Sequence, residues 1–137
     1  ISFNIPPGVN DNQIIIIENQ GNFIDKNNIG DIEIIIKVHN DTNFKRSGDD
    51  LIFYKNISFK ESLCGFSFKL NHISGKSFEL NNNNDITSSL IYNGFEKVIP
   101  NFGFHNNNNK GNLIIHFTVN YPDKLTPQQI QSIREIL

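Results

Sequence analysis

The sequence predicts a mostly β fold of small antiparallel sheets, with one short internal helix and one helix at its C-terminal end. Three observations carry that prediction. Leu113, Ile115, Phe117, Val119 and Tyr121 alternate with Ile114, His116, Thr118 and Asn120, the period of a strand with one buried face. Short β-branched runs recur between Gly-, Pro- and Asn-rich breaks. Helix-start signals stand at Ser58, with Glu61 three residues on, and at Thr126-Pro127 with Gln129.

Taken in order, Ile1, Phe3 and Ile5 alternate with Ser2 and Asn4 as a half-buried strand, which Pro6-Pro7-Gly8 stops. Asn10-Asp11-Asn12 supplies a turn, and Ile14–Ile17 is a β-branched run suited to a strand. Residues 18–28 read as a polar loop hinged at Gly21 and Gly30. Ile32, Ile34, Ile36 and Val38 share one strand face, opposite Glu33, Ile35, Lys37 and His39. Residues 44–50 form a connector that turns at Gly48-Asp49, and a domain boundary is expected within residues 43–48.

A strand follows over residues 51–57. Ser58 then N-caps a helix of one or two turns, which Gly65 ends. Phe66, Phe68 and Leu70 alternate, the Ser74-Gly75 turn follows, and Phe78 and Leu80 complete a β-hairpin. In the last helix Leu125, just before the Thr126 cap, staples onto Ile130; Ile130, Ile133 and Leu137 form one stripe with Ile136 beside it.

Composition narrows the function. A chain of 137 residues holds one ordinary domain or two small ones. Its net charge of -2 lacks the basic excess of a nucleic-acid binder. No apolar run approaches the roughly 20 residues of a membrane-spanning helix, and the first residues lack the layout of a secretion signal. A single cysteine excludes an internal disulfide framework and a multi-cysteine zinc site; Cys64, at the end of a helix, reads as a buried and inert thiol. The Asn-rich stretches at 81–84 and 106–109 read as padded surface loops.

Nothing assembles into a catalytic constellation. Asp49-Asp50 after a glycine reads as a turn whose oxygens satisfy backbone donors rather than as a carboxylate pair for catalysis. His39, His72, His105 and His116 lack ligand-like spacing, and there is no Gly-x-Ser-x-Gly or Walker pattern. No catalytic residue, metal or cofactor is expected. What is left is a surface that binds, such as an open sheet edge beside exposed apolar side chains.

The string Phe44-Lys45-Arg46-Ser47-Gly48-Asp49-Asp50-Leu51, followed by Ile57-Ser58-Phe59-Lys60-Glu61-Ser62-Leu63-Cys64-Gly65, resembles the C-terminal region of DnaJ-type J-domain co-chaperones. The likeness continues through His72-Ile73-Ser74-Gly75-Lys76, Lys97-Val98-Ile99-Pro100, Gly111-Asn112-Leu113-Ile114-Ile115 and Tyr121-Pro122-Asp123-Lys124-Leu125-Thr126. The resemblance implies the trailing half of a first β-domain over residues 1–45, a second small β-domain over 46–124, and a dimerisation helix over 125–137.

By the same resemblance, Ile1, Phe3 and Ile34 match positions that line or neighbour a pocket for unfolded polypeptide clients. Leu125, Ile130, Ile133 and Leu137 match a homodimerising helix. The implied partners are non-native polypeptides, a DnaK-type heat-shock chaperone and a second copy of the chain, without nucleic acid or membrane, in the cytoplasm. The chain has no His-Pro-Asp of a J-domain and no Cys-x-x-Cys repeat, so ATPase stimulation and zinc binding are not implied for these residues. The alternative reading is a structural β-sandwich assembly module that dimerises without chaperone activity.

Overall fold

The computed structural model describes residues 2–19, 21, 23–25, 28–82, 90–106 and 108–137. Strands dominate: β1 (Ile14–Ile17), β2 (Phe23–Asp25), β3 (Asn28–Ile29), β4 (Ile32–Ile35), β5 (Phe44–Ser47), β6 (Asp50–Ser58), β7 (Ser67–Asn71), β8 (Ser77–Asn81), β9 (Glu96–Ile99), β10 (His105–Asn106), β11 (Asn109–Lys110) and β12 (Leu113–Asn120). Helix α1 spans Phe59–Cys64 and α2 spans Pro127–Ile136. Neither is long and apolar enough to cross a membrane. β5, β6, β12 and β9 hydrogen-bond in that order, and β1–β4, β2–β3, β7–β8 and β10–β11 form two-stranded sheets.

The chain forms two compact units, Ile1–Ile52 with Ile99–Leu113 and Phe53–Val98 with Ile114–Leu137. That division runs differently from the boundary expected within residues 43–48.

The second unit follows the sequence pattern closely. Along β12 the burial alternates residue by residue, with Ile115, Phe117 and Val119 buried and Ile114, His116 and Thr118 half-buried on the other face. Ile57, Phe66, Leu70 and Ile91 complete this core. The β7–β8 hairpin pairs Leu70 with Phe78 and Phe68 with Leu80, as the alternation predicts. At its turn, His72 is buried; its Nδ1 accepts the Ser74 N–H at 3.1 Å, so this histidine organises a turn. Both helices start as expected. Ser58 Oγ accepts from Glu61 N–H (3.1 Å) while Glu61 Oε1 accepts from Ser58 N–H (3.0 Å), and Thr126 and Gln129 repeat the exchange at α2.

The first unit has a smaller core of Phe44, Leu51 and Leu113. Its organising feature is the turn after β5. The Asp49 carbonyl accepts from Phe104 N–H (2.7 Å), and Asp50 Oδ1 accepts from Asn112 N–H (2.8 Å). Leu51 N–H donates in turn to the Asn112 carbonyl (2.9 Å). The two aspartates therefore satisfy or position backbone groups, the turn role expected of them. Gly111 lies so close to the Asp49 carbonyl that any Cβ there would overlap backbone atoms. Gly111→Ala is therefore expected to cost about 1–3 kcal/mol or more, read as a lower urea midpoint. A midpoint equal to that of the native chain would show that the backbone yields freely.

Four sequence expectations need correction. Residues 2–6 form no strand: Pro6 and Pro7 lack ladder donors, no described strand pairs with this segment, and Phe3 and Ile5 are exposed. Part of the 18–28 loop is paired, as β2 and β3. The Gly21 N–H donates to the Gly30 carbonyl (2.6 Å) and clamps the ends of that hairpin together. The 44–50 connector is largely the strand β5, which turns directly into β6. Cys64 is exposed rather than buried. In the short helix α1 it is Ser62 that faces inward, its carbonyl accepting from Ile91 N–H, and two residues further on the chain points to the opposite side.

Candidate binding surfaces

Two surfaces, one in each unit, hold some of the residues expected to function: Ile34 in the first, Leu125 and Ile133 in the second. In the first unit, β1 and β4 pair antiparallel, with Ile15 opposite Ile34 and Ile17 opposite Ile32. Those four isoleucines are half-buried on one face. Ile14 opposite Ile35, and Ile16 opposite Glu33, form the other face. There Ile14 is 54 % exposed and Ile16 and Ile35 are 55 % exposed, a density of open aliphatic surface beyond the scattered apolar residues of an ordinary exterior. The ladder extends through Ile36 N–H to the Gln13 carbonyl (2.8 Å) and Asn12 N–H to the Ile36 carbonyl (2.7 Å). Among the described residues β1 and β4 pair only with each other, so each keeps an outer edge able to accept a further strand.

Of the expected client-binding residues, Ile34 sits on the more covered face of this ribbon. Phe3 is 41 % exposed in the extended segment before Pro6, and Ile1 lies outside the described residues. The part that Ile14 and Ile16 take in this open face was not anticipated. Its signal was present: four consecutive isoleucines in a strand place apolar side chains on both faces, and a single partner strand leaves both faces of the pair to be covered by something else.

In the second unit, α1 and the start of α2 flank a cavity of about 500 Å³. Phe59, Leu63 and Cys64 line it from α1, Tyr121 and Pro122 from the intervening chain, and Leu125 and Ile133 from the α2 side. The Phe59 and Tyr121 rings meet at 5.3 Å. Leu125 and Ile133 are thus brought together, whereas Ile130, Ile136 and Leu137, the last 91 % exposed, do not line the groove. The stripe read along α2 is divided between a groove and open solvent.

Neither surface offers an evident reaction. Among the described residues no three His, Cys, Asp or Glu side chains gather as a metal site. The His116 Nδ1 lies 3.3 Å from Glu96 Oε1 with its ring against Tyr54, a contact between neighbouring strand residues on the polar face of β12.

Both surfaces are apolar and belong to a mostly β chain. The family model for the DnaJ C-terminal domain matches residues 1–122. The chain is 31 % identical over 140 residues to chaperone protein dnaJ 3 of Arabidopsis thaliana, covering all of this chain and 33 % of that protein. It is 30 % identical over 139 residues to the DnaJ homolog subfamily A member 1 homolog of Dictyostelium discoideum, covering all of this chain and 30 % of that protein. It is also 33 % identical over 138 residues to protein SIS1 of Saccharomyces cerevisiae, covering 98 % of this chain and 38 % of that protein. The chain belongs to the DnaJ C-terminal domain family, a family of heat-shock co-chaperones, and spans about a third of the length of these relatives.

Proposed function

We infer that this chain is the client-binding and dimerising region of a J-domain co-chaperone, which holds non-native polypeptides and passes them to a DnaK-type chaperone. The observation that supports this most directly is the open Ile14, Ile16 and Ile35 face beside strand edges that no other described strand pairs with. An extended apolar segment laid along such an edge gains main-chain hydrogen bonds, while its alternate side chains leave water against the isoleucines. In this reading residues 1–45 belong to the first β-domain, 46–124 to the second, and 125–137 to the dimerising helix. The role is binding, without catalysis. Two copies joined through α2 offer a client a second site at high effective concentration.

The test is suppression of aggregation of a chemically denatured model protein by the full chain. The native chain is expected to suppress it at near-stoichiometric amounts. Ile16→Asp combined with Ile35→Asp is expected to weaken client binding at least about tenfold, since charged groups do not enter an apolar contact without large desolvation cost. A native chain without suppressing activity would favour a structural assembly module. Undiminished activity in the double variant would move the client site away from this face.

A further inference from the structure

The basic residue of the Phe44–Asp50 motif makes contacts far beyond its own turn. Arg46 Nε donates to the Gly48 carbonyl at 2.7 Å and its Nη2 approaches Asp49 Oδ1 at 3.3 Å, both local contacts. The same guanidinium reaches back across the sequence, Nη1 donating to the Val9 carbonyl at 2.5 Å and Nη2 to the Gly8 carbonyl at 2.7 Å. Its Cζ lies over the Phe104 ring, 4.0 Å from the ring centre. Securing the turn needs only the local half of this set. The remote half fixes two successive carbonyls of another segment.

That segment is held a second way. Gly8 has φ +80 and sits against the His105 carbonyl with no room for a Cβ. The chain ahead of it is Pro6-Pro7, whose rings fix φ and make the lead-in stiff. An orientation set at Gly8 and Val9 is therefore transmitted to the residues before the prolines, where Phe3 and Ile5 are exposed.

We propose that Arg46 is a positioning residue for apolar peptide capture: by clamping the Gly8 and Val9 carbonyls it aims the 2–7 segment, so that Phe3 and Ile5 form part of the surface a client peptide meets. This rests on the client-binding reading above. Lysine is a poor substitute, because an ammonium lacks both the planar fork that spans three carbonyls and the flat face that stacks on Phe104.

The experiment combines peptide binding with hydrogen exchange on the full chain, using a short labelled leucine-rich peptide. Arg46→Lys is expected to weaken peptide affinity about fivefold and to raise deuterium uptake at residues 8–10, with the β7–β8 hairpin unchanged. Phe104→Leu, which removes the ring beneath the guanidinium but keeps an apolar side chain, is expected to act in the same direction more weakly. The deciding readout is the background. When Phe3 and Ile5 are already serine, Arg46→Lys is expected to cause no further loss of affinity, because its effect runs through those side chains. An equal loss in both backgrounds would overturn the proposal and leave Arg46 a purely structural residue. Unchanged uptake at residues 8–10 would overturn the clamp itself. A native chain that fails to bind the peptide overturns the client-binding reading, and with it the positioning role, even where the exchange data confirm the clamp.

Discussion

Phe117→Ala is expected to destabilise the second unit by about 3–5 kcal/mol, the range for removing a large aromatic side chain from a closed core. Phe117 is 0 % exposed and its ring stands 5.0 Å from Phe66, 6.1 Å from Phe95 and 6.4 Å from Phe68. Each pair adds oriented ring contact to simple burial. The backbone around it is also committed: Phe117 N–H donates to the Phe95 carbonyl and Gly94 N–H to the Phe117 carbonyl, each at 2.9 Å. The neighbours therefore cannot slide inward without breaking ladder bonds, and the cavity stays open. Domains of this size are stable by only about 5–15 kcal/mol, so the loss is a large fraction of the total. Urea unfolding measures it. Thr118→Ala, one residue along on the half-buried face, is expected to change stability by less than about 0.5 kcal/mol. A cost below about 1 kcal/mol for Phe117→Ala would mean that these rings are not the centre of the core.

Position 117 also shows why so much of the second unit was legible. A strand with one closed face writes its burial into every second residue, and β12 carries that pattern without interruption. The capping boxes at Ser58 and Thr126 were legible for a different reason, since each is a local exchange between residues three apart and needs nothing distant to form. The β7–β8 register is likewise set by a short turn joining two alternating runs.

What was misread depends on distant partners. Phe3 and Ile5 have the alternation of a strand, but alternation forms a strand only where another strand donates and accepts, and the prolines at 6 and 7 withhold donors of their own. Pairing of β2 with β3 follows from the Gly21–Gly30 clamp, a contact that composition does not reveal. Cys64 was assigned by residue type, yet in a helix of six residues the inward position falls to Ser62. The Gly48-Asp49-Asp50 string was recognisable as a motif before its reason was visible. Its reason is three-dimensional: the Asp49 carbonyl, Phe104, Gly111, Asn112 and Arg46 enclose one turn, in which the close approach at Gly111, the Asp50 carboxylate and the Arg46–Phe104 contact depend on residue type and on partners remote in sequence.

Ile133→Asp is expected to convert the proposed dimer into monomers. Ile133 and Leu125 line the α1–α2 groove, which stays open in a single chain, while Ile130, Ile136 and Leu137 present further aliphatic surface outside it. A ten-residue helix of this kind is marginal in isolation and gains most of its stability from what its apolar residues touch. A second copy seated against the groove would supply those contacts. An aspartate at position 133 would then place an unpaired carboxylate in an apolar interface, a penalty well beyond the roughly 1.4 kcal/mol that equals tenfold in affinity. The same substitution could loosen α2 from its own groove, so Ile130→Asp is the companion variant: it charges the helix beside the groove and leaves the groove lining intact. Sedimentation velocity of the native chain is expected to show a dimer, Ile133→Leu to preserve it, and Ile133→Asp to abolish it. Loss of the dimer in Ile130→Asp as well would extend the interface along the helix stripe beyond the groove. Its retention there, with loss in Ile133→Asp, would confine the interface to the groove, and a dimer that survives both aspartates would remove α2 from the assembly altogether.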